Sequence, residues 1–205
     1  MIALAGFLAV LAAAPVPAAV PVAKIGRPAP AFTLKDQDGK TVTLASLRGR
    51  IVVLEWMNPD CPFWTRHAIA GTMRTLAAAY APQGVAWLGV DSTAHLPLER
   101  DAWAREAFSL PYPVLNDRLG RVGRVYGAKT TPHLFVIDPK GRLAYAGAID
   151  DDPAGGQDVR LRTSKGGSGG VNYVRQALDE MLAGKTVSVP ETQPYGCSVK
   201  YTKRK

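Results

Sequence analysis

The chain has 205 residues, 47% of them hydrophobic and 20% charged, with a formal net charge of +8. That balance fits one core of ordinary domain size and excludes a disordered chain, and two cysteines exclude a disulfide scaffold. The basic residues, among them Arg27, Arg66, Arg121, Arg142 and a final Lys203-Arg204-Lys205, are scattered over turns and the chain end. No basic face forms, so the charge argues for solubility and attraction to anionic surfaces, not for a nucleic-acid partner.

In chain order, Ile2 to Ala14 is a continuous apolar run of thirteen residues, followed by Pro15, Pro17 and Pro21 and by small residues at Ala18 and Ala19. It is too short to cross a bilayer and predicts a signal peptide over 1–19, although no Lys or Arg precedes it. A periplasmic or secreted chain is expected, touching a membrane only if that segment is retained uncleaved. Phe32-Thr33-Leu34 and Val42-Thr43-Leu44 flank Asp38-Gly39 and predict a hairpin. Ile51-Val52-Val53-Leu54, wholly apolar and rich in β-branched residues, suits a central strand covered on both faces. A helix then starts near Pro62, with Ile69, Met73, Leu76 and Tyr80 as its buried stripe and Gly84 after its end.

Val85 to Val90 is a second apolar strand, Leu98 to Phe108 a helix, Val114-Leu115 a brief strand and Arg121 to Tyr126 a short helix. Leu134 to Ile137 and Leu143 to Ala148 form a hairpin through Asp138-Pro139-Lys140-Gly141, and Val171 to Leu182 is the last helix. This order predicts an α/β three-layer domain over 24–185, its mixed central sheet flanked by helices. Residues 151–170 carry six glycines and few apolar side chains and read as a flexible insertion. Residues 186–205 form an aperiodic tail that contains Cys197.

The chemistry concentrates at Cys61. A helix N-terminus favours thiolate through free N–H groups and the helix dipole, and Cys61 lies at such a junction just past a buried strand. Asp60 beside it opposes the anion. A buried structural cysteine is the competing reading. Thr131-Pro132 directly precedes the strand Leu134 to Ile137. A cis bond there would expose the backbone of Thr131 for pairing with an extended substrate; an ordinary trans turn is the alternative.

These segments together resemble the thioredoxin-like superfamily, and more closely its peroxiredoxin-like branch of alkyl hydroperoxide reductases and thiol-specific antioxidants. The resemblance is carried by Gly26 to Leu34 with Asp38-Gly39-Lys40, by Leu47 to Arg50, by Cys61-Pro62-Phe63 and by Thr131-Pro132. The ending Gly196-Cys197-Ser198-Val199-Lys200-Tyr201 resembles that of a less characterised peroxiredoxin-like group. The resemblance implies a thioredoxin-like three-layer fold, Cys61 as redox nucleophile and Pro132 as a facing cis-proline. Asn58, Trp64, Thr131 and Pro132 are then expected beside the substrate.

The departures are specific. Trp64 stands where thioredoxins carry the second cysteine of Cys-x-x-Cys, and Leu54 and Asn58 stand where typical peroxiredoxins carry Pro and Thr or Ser. Disulfide exchange is therefore expected ahead of peroxide reduction, with a thiol/disulfide protein or a small thiol as electron donor. Arg124 is a weak match for the branch's arginine. Cys197, 136 positions beyond Cys61, is a resolving thiol, half of a structural bridge or an unpaired thiol; a non-enzymatic binding module stapled by that bridge is the competing class.

His67 lies six residues past Cys61 and points elsewhere on a helix, whereas His133 is placed to approach Cys61. One thiol and one imidazole make a poor metal site, so neither metal nor cofactor is expected. Trp56, Trp87 and Trp103 are expected in the core, and Trp64 as a wall over the thiol or a substrate contact.

Overall fold

The computed structural model describes residues 22–153 and 170–202. The expected signal segment and most of the expected insertion lie outside these residues. The elements run β1 (Thr33–Asp36), β2 (Thr41–Thr43), β3 (Val52–Met57), α1 (Pro62–Ala70), α2 (Thr72–Tyr80), β4 (Ala86–Asp91), α3 (Glu99–Ala107) and β5 (Val114–Asn116). After them come α4 (Arg121–Tyr126), β6 (Thr130–Thr131), β7 (His133–Ile137), β8 (Leu143–Gly147), α5 (Tyr173–Leu182) and β9 (Cys197–Ser198).

Seven strands form one mixed sheet in the order β2-β1-β5-β4-β3-β7-β8. β3 pairs parallel with β4 and antiparallel with β7, so it is central, and all six of its residues are buried. Its side chains alternate between two cores, as strand geometry requires. Val53 and Met57 face Trp64, Met73, Leu76, Tyr80, Ala177 and Leu178 of α1, α2 and α5. Val52, Leu54 and Trp56 face Phe32, Tyr126 and Phe135 on the other side. This is the expected three-layer, thioredoxin-like arrangement.

One expected helix is two. Gly71 takes φ +71° and ends α1 in a left-handed cap, with α2 restarting at Thr72. The break turns the stripe: α1 buries Trp64, His67 and Ala68, while Ile69, expected inside, is 64% exposed. Trp103 is also not a core residue. It is 44% exposed, under the Arg100 guanidinium at 4.0 Å and edge-on to Phe108.

A carboxylate sits in the middle of the first core. Glu55 shares its face of β3 with Val53 and Met57 and is fully buried. Its Oε1 accepts the Trp64 indole N–H at 2.6 Å, and its Oε2 accepts Trp87 Nε1–H at 2.7 Å and the Tyr112 hydroxyl at 2.9 Å. Burial pushes its pKa up, and the three donors pull against that without overcoming it. A buried acid is tolerated when its oxygens are satisfied, and here it ties the first turn of α1 to β3, β4 and the strand leading from Tyr112.

Both carboxylate oxygens accept an indole N–H, and glutamine has only one acceptor atom. Glu55→Gln is therefore expected to oppose an N–H to an amide NH2 and to lower unfolding free energy by roughly 2–3 kcal/mol in urea titration. A variant as stable as the parent would mean that the carboxylate does not hold these three donors.

Candidate active site

β3 delivers its chain to the site through the turn Asn58-Pro59-Asp60. Asn58 is buried and shapes the turn: its Oδ1 accepts Asp60 N–H at 2.8 Å and its carbonyl accepts Cys61 N–H at 3.0 Å. Cys61 is the N-cap of α1 with extended backbone, and Pro62 fills the first helical position, where no N–H is required. The Thr65 N–H closes the first turn onto the Cys61 carbonyl at 2.8 Å. Asp60, expected to oppose a thiolate, is ion-paired with Arg100 at 2.5 Å.

The Thr131–Pro132 bond is cis, and Thr131 is buried. Its carbonyl accepts the Cys61 thiol at 3.0 Å. Its hydroxyl is buried without a hydrogen-bond partner, and it faces the same sulfur. On its other side Thr131 pairs antiparallel with Cys197, and Thr130 with Ser198. The tail thus folds back over the site and places the second thiol beside the first. Both cysteines are free thiols here.

The two thiols have unlike environments. Burial pushes Cys61 up, but the Thr131 hydroxyl, the Trp64 and Cys197 backbone N–H groups and the Cys197 thiol outweigh it, so Cys61 titrates below the usual thiol range. Cys197 is pushed up by burial, then by its hydrogen bond to Cys61 and that thiolate's charge, with Lys200 opposing. The pair therefore favours thiolate at Cys61 and a proton at Cys197.

Gly196 makes the pairing possible. Its φ is +124°, and a Cβ there would lie 2.2 Å from the Thr131 carbonyl oxygen. On one side of it, the Tyr195 hydroxyl donates to Asp150 and meets His67 Nε2 at 3.0 Å and Arg66 Nη2 at 3.2 Å. On the other, Val199 N–H donates to the Lys129 carbonyl at 3.0 Å, and the Tyr201 hydroxyl to the Ala128 carbonyl at 2.9 Å.

Three expected site residues stand elsewhere. Trp64 is fully buried with its indole on Glu55, so it backs the thiol from below and has no surface for a substrate. His133 does not approach Cys61. It lies on the opposite face of β7, 4.4 Å from the Phe135 ring, with Nδ1 accepting Lys129 N–H; burial, then Lys129, hold its pKa down to about 3. Arg124 does not reach Cys61 either: its guanidinium stacks 4.5 Å from Tyr201 and donates to the Thr202 carbonyl. His67 points away from Cys61 as expected, toward Tyr195. Glu55 was not singled out by the sequence, and Tyr195 and Gly196 stood out there only as neighbours of Cys197. A lone acid inside an apolar strand and a glycine next to the tail cysteine were the available signals.

The chain is similar to known proteins. The AhpC/TSA family profile matches residues 25–146. Chloroplastic peroxiredoxin Q of Suaeda salsa is 32% identical over 139 residues, 60% of this chain and 61% of that protein. Thiol-disulfide oxidoreductase ResA of Geobacillus thermodenitrificans is 32% identical over 120 residues, 58% of this chain and 66% of that one. The chain thus spans less than two thirds of the length of these two curated relatives. Among solved structures, a hypothetical protein of Sinorhizobium meliloti superposes with a TM-score of 0.75 at 30% identity, covering 88% of this chain and 96% of that one. The chain belongs to the AhpC/TSA family, in the peroxiredoxin-like branch of the thioredoxin-like superfamily.

Proposed function

We propose that the chain is a thiol-disulfide oxidoreductase in which Cys61 is the nucleophile and Cys197 the resolving thiol. The antiparallel pairing of Thr131 with Cys197 carries this reading, because it brings the second thiol beside the first. The unlike titration of the two thiols supports their order of action. The Cys61 thiolate attacks one sulfur of a disulfide; the S–S bond breaks, one thiolate leaves and takes a proton from solvent, and a mixed disulfide remains on Cys61. Cys197, losing its proton, attacks the Cys61 sulfur and expels the second thiol. The resulting Cys61–Cys197 bridge is reduced by an external thiol, either a thiol/disulfide protein or a small molecule.

Hydroperoxide reduction is the second reading. It is supported by the relatives named peroxiredoxin and by the unpartnered Thr131 hydroxyl beside Cys61. Cys61 would attack a peroxide oxygen and break the O–O bond, releasing an alcohol or water and leaving a sulfenic acid. Cys197 would then condense with it and release water. Leu54 and Asn58 weigh against this reading. A non-enzymatic module with a structural bridge gains no support from relatives named oxidoreductase and peroxiredoxin. The apolar run at 2–14 supports export to the periplasm or beyond, where disulfide chemistry operates.

In a glutathione redox buffer the pair is expected to interconvert reversibly, with a midpoint above about −300 mV. A bridge that resists reduction until the fold is lost would contradict the enzymatic reading, and Cys61→Ser and Cys197→Ser should each abolish the two-electron transition. Thr131→Val, made in the Cys197→Ser background, removes a thiolate donor without removing volume. Its thiolate absorbance should titrate at higher pH than in the parent, while thermal stability stays level or rises because an unpaired buried hydroxyl is gone. An unchanged titration would remove Thr131 from the thiolate's environment.

A further inference from the structure

An exposed backbone edge next to a reactive thiol is a place where an extended chain adds as a strand, contributing main-chain hydrogen bonds. Here that edge is Thr130–Thr131, and it is already filled by β9. The filling is close-fitting. Gly196 passes its backbone against the Thr131 carbonyl where no side chain would fit, and Cys61 and Thr131 are each 1% exposed.

It is also fastened on both flanks. Upstream, Thr192 N–H donates to the Ala146 carbonyl at 3.2 Å, and the Tyr195 hydroxyl is held by Asp150, His67 and Arg66. Downstream, Ala94 N–H donates to the Lys200 carbonyl at 3.0 Å, and the Tyr201 ring packs on Gly120 and Gly123, where a Cβ would collide with it.

We propose that β9 is a specificity element: the chain's own tail occupies the strand-pairing edge at Thr131, excludes extended polypeptides from it, and restricts Cys61 to small oxidants. Tyr195 and Gly196 are its positioning residues, one anchoring the tail and the other allowing its approach. The inference rests on Cys61 being the nucleophile, and it adds which substrates reach it. A small disulfide needs only a path to the sulfur. A polypeptide disulfide needs the edge, and so needs β9 to leave. Replacing Cys197 removes the resolving thiol but leaves the β9 backbone in place, so exclusion and resolution are separable.

The test reads the first chemical step alone, in the full chain carrying Cys197→Ser. The Cys61 thiolate attacks a disulfide R–S–S–R, forms Cys61–S–S–R and releases RS⁻, which is protonated by solvent; without Cys197 the adduct accumulates and is measured by intact mass. The probes are hydroxyethyl disulfide and insulin. Cys197→Ser is expected to form the small adduct at least tenfold faster than the insulin adduct, relative to the ratio that a free, unstructured cysteine peptide gives with the same two probes. Adding Tyr195→Phe, or separately Gly196→Ala, should raise the ratio of the insulin rate to the hydroxyethyl disulfide rate tenfold or more, because any change in the reactivity of the Cys61 thiolate acts on both probes alike. Two outcomes overturn the inference: a Cys197→Ser rate ratio equal to that of the free peptide, or a rate ratio that neither tail variant moves. Should Cys61 react with neither disulfide, the proposed disulfide exchange itself falls, and this inference with it.

Discussion

Thr131 is the residue on which the site depends. Its carbonyl accepts the Cys61 thiol, its hydroxyl is left without a partner beside the same sulfur, and its backbone pairs with Cys197. One residue therefore touches the thiol of one cysteine and pairs with the backbone of the other. The cis bond to Pro132 lies between the short strand that pairs with the tail and the long strand that pairs with β3. The two cysteines approach from opposite ends of the chain, one as the N-cap of a helix and the other on a two-residue strand. Each is placed by backbone groups, and backbone positions are the most rigid reference a fold offers.

The rest of the molecule supports this meeting point from two sides. Below it, Glu55 gathers Trp64, Trp87 and Tyr112 and fixes the first turn of α1 over the sheet. Trp64 occupies the position where thioredoxins carry their second cysteine, and its indole is spent on that buried acid. A structural contact thus stands where thioredoxins carry a local dithiol, and the tail places Cys197 beside Cys61. Above the site, the tail is held on either flank by hydrogen bonds to β8, to the Arg66–His67 end of α1 and to the residues around α4. The Asp60–Arg100 pair answers the neighbouring charge that opposes a Cys61 thiolate.

Much of the fold was legible because its signals are local and periodic. The apolar β-branched run before Leu54, the Asp38-Gly39 turn and the amphipathic spacing of the last helix each name their own structure, and the elements stand where those signals put them. Cys61 was legible from its strand-to-helix junction. What was not legible depends on partners far away in sequence. A glycine inside a helical pattern does not reveal that it will adopt φ +71° and turn Ile69 outward. His133 reads as a neighbour of Cys61 because it follows Pro132, yet strand alternation sends it to the opposite core. Trp103 is apolar enough for a core, but an arginine one helical turn away covers it on the outside. The tail was legible as a bearer of Cys197 and not as a strand, since two residues carry no periodicity and the register depends on Gly196 fitting against Thr131.

The central claim is that Cys61 takes the oxidant and Cys197 resolves it. It is tested most directly by giving the reduced protein one equivalent of a small disulfide, quenching in acid and mapping the sulfur of every cysteine peptide. The account predicts a Cys61–Cys197 bridge in the native protein, an adduct confined to Cys61 in Cys197→Ser, and no rapid adduct in Cys61→Ser. An adduct that appears first on Cys197, or a native protein in which both thiols stay reduced, would contradict it.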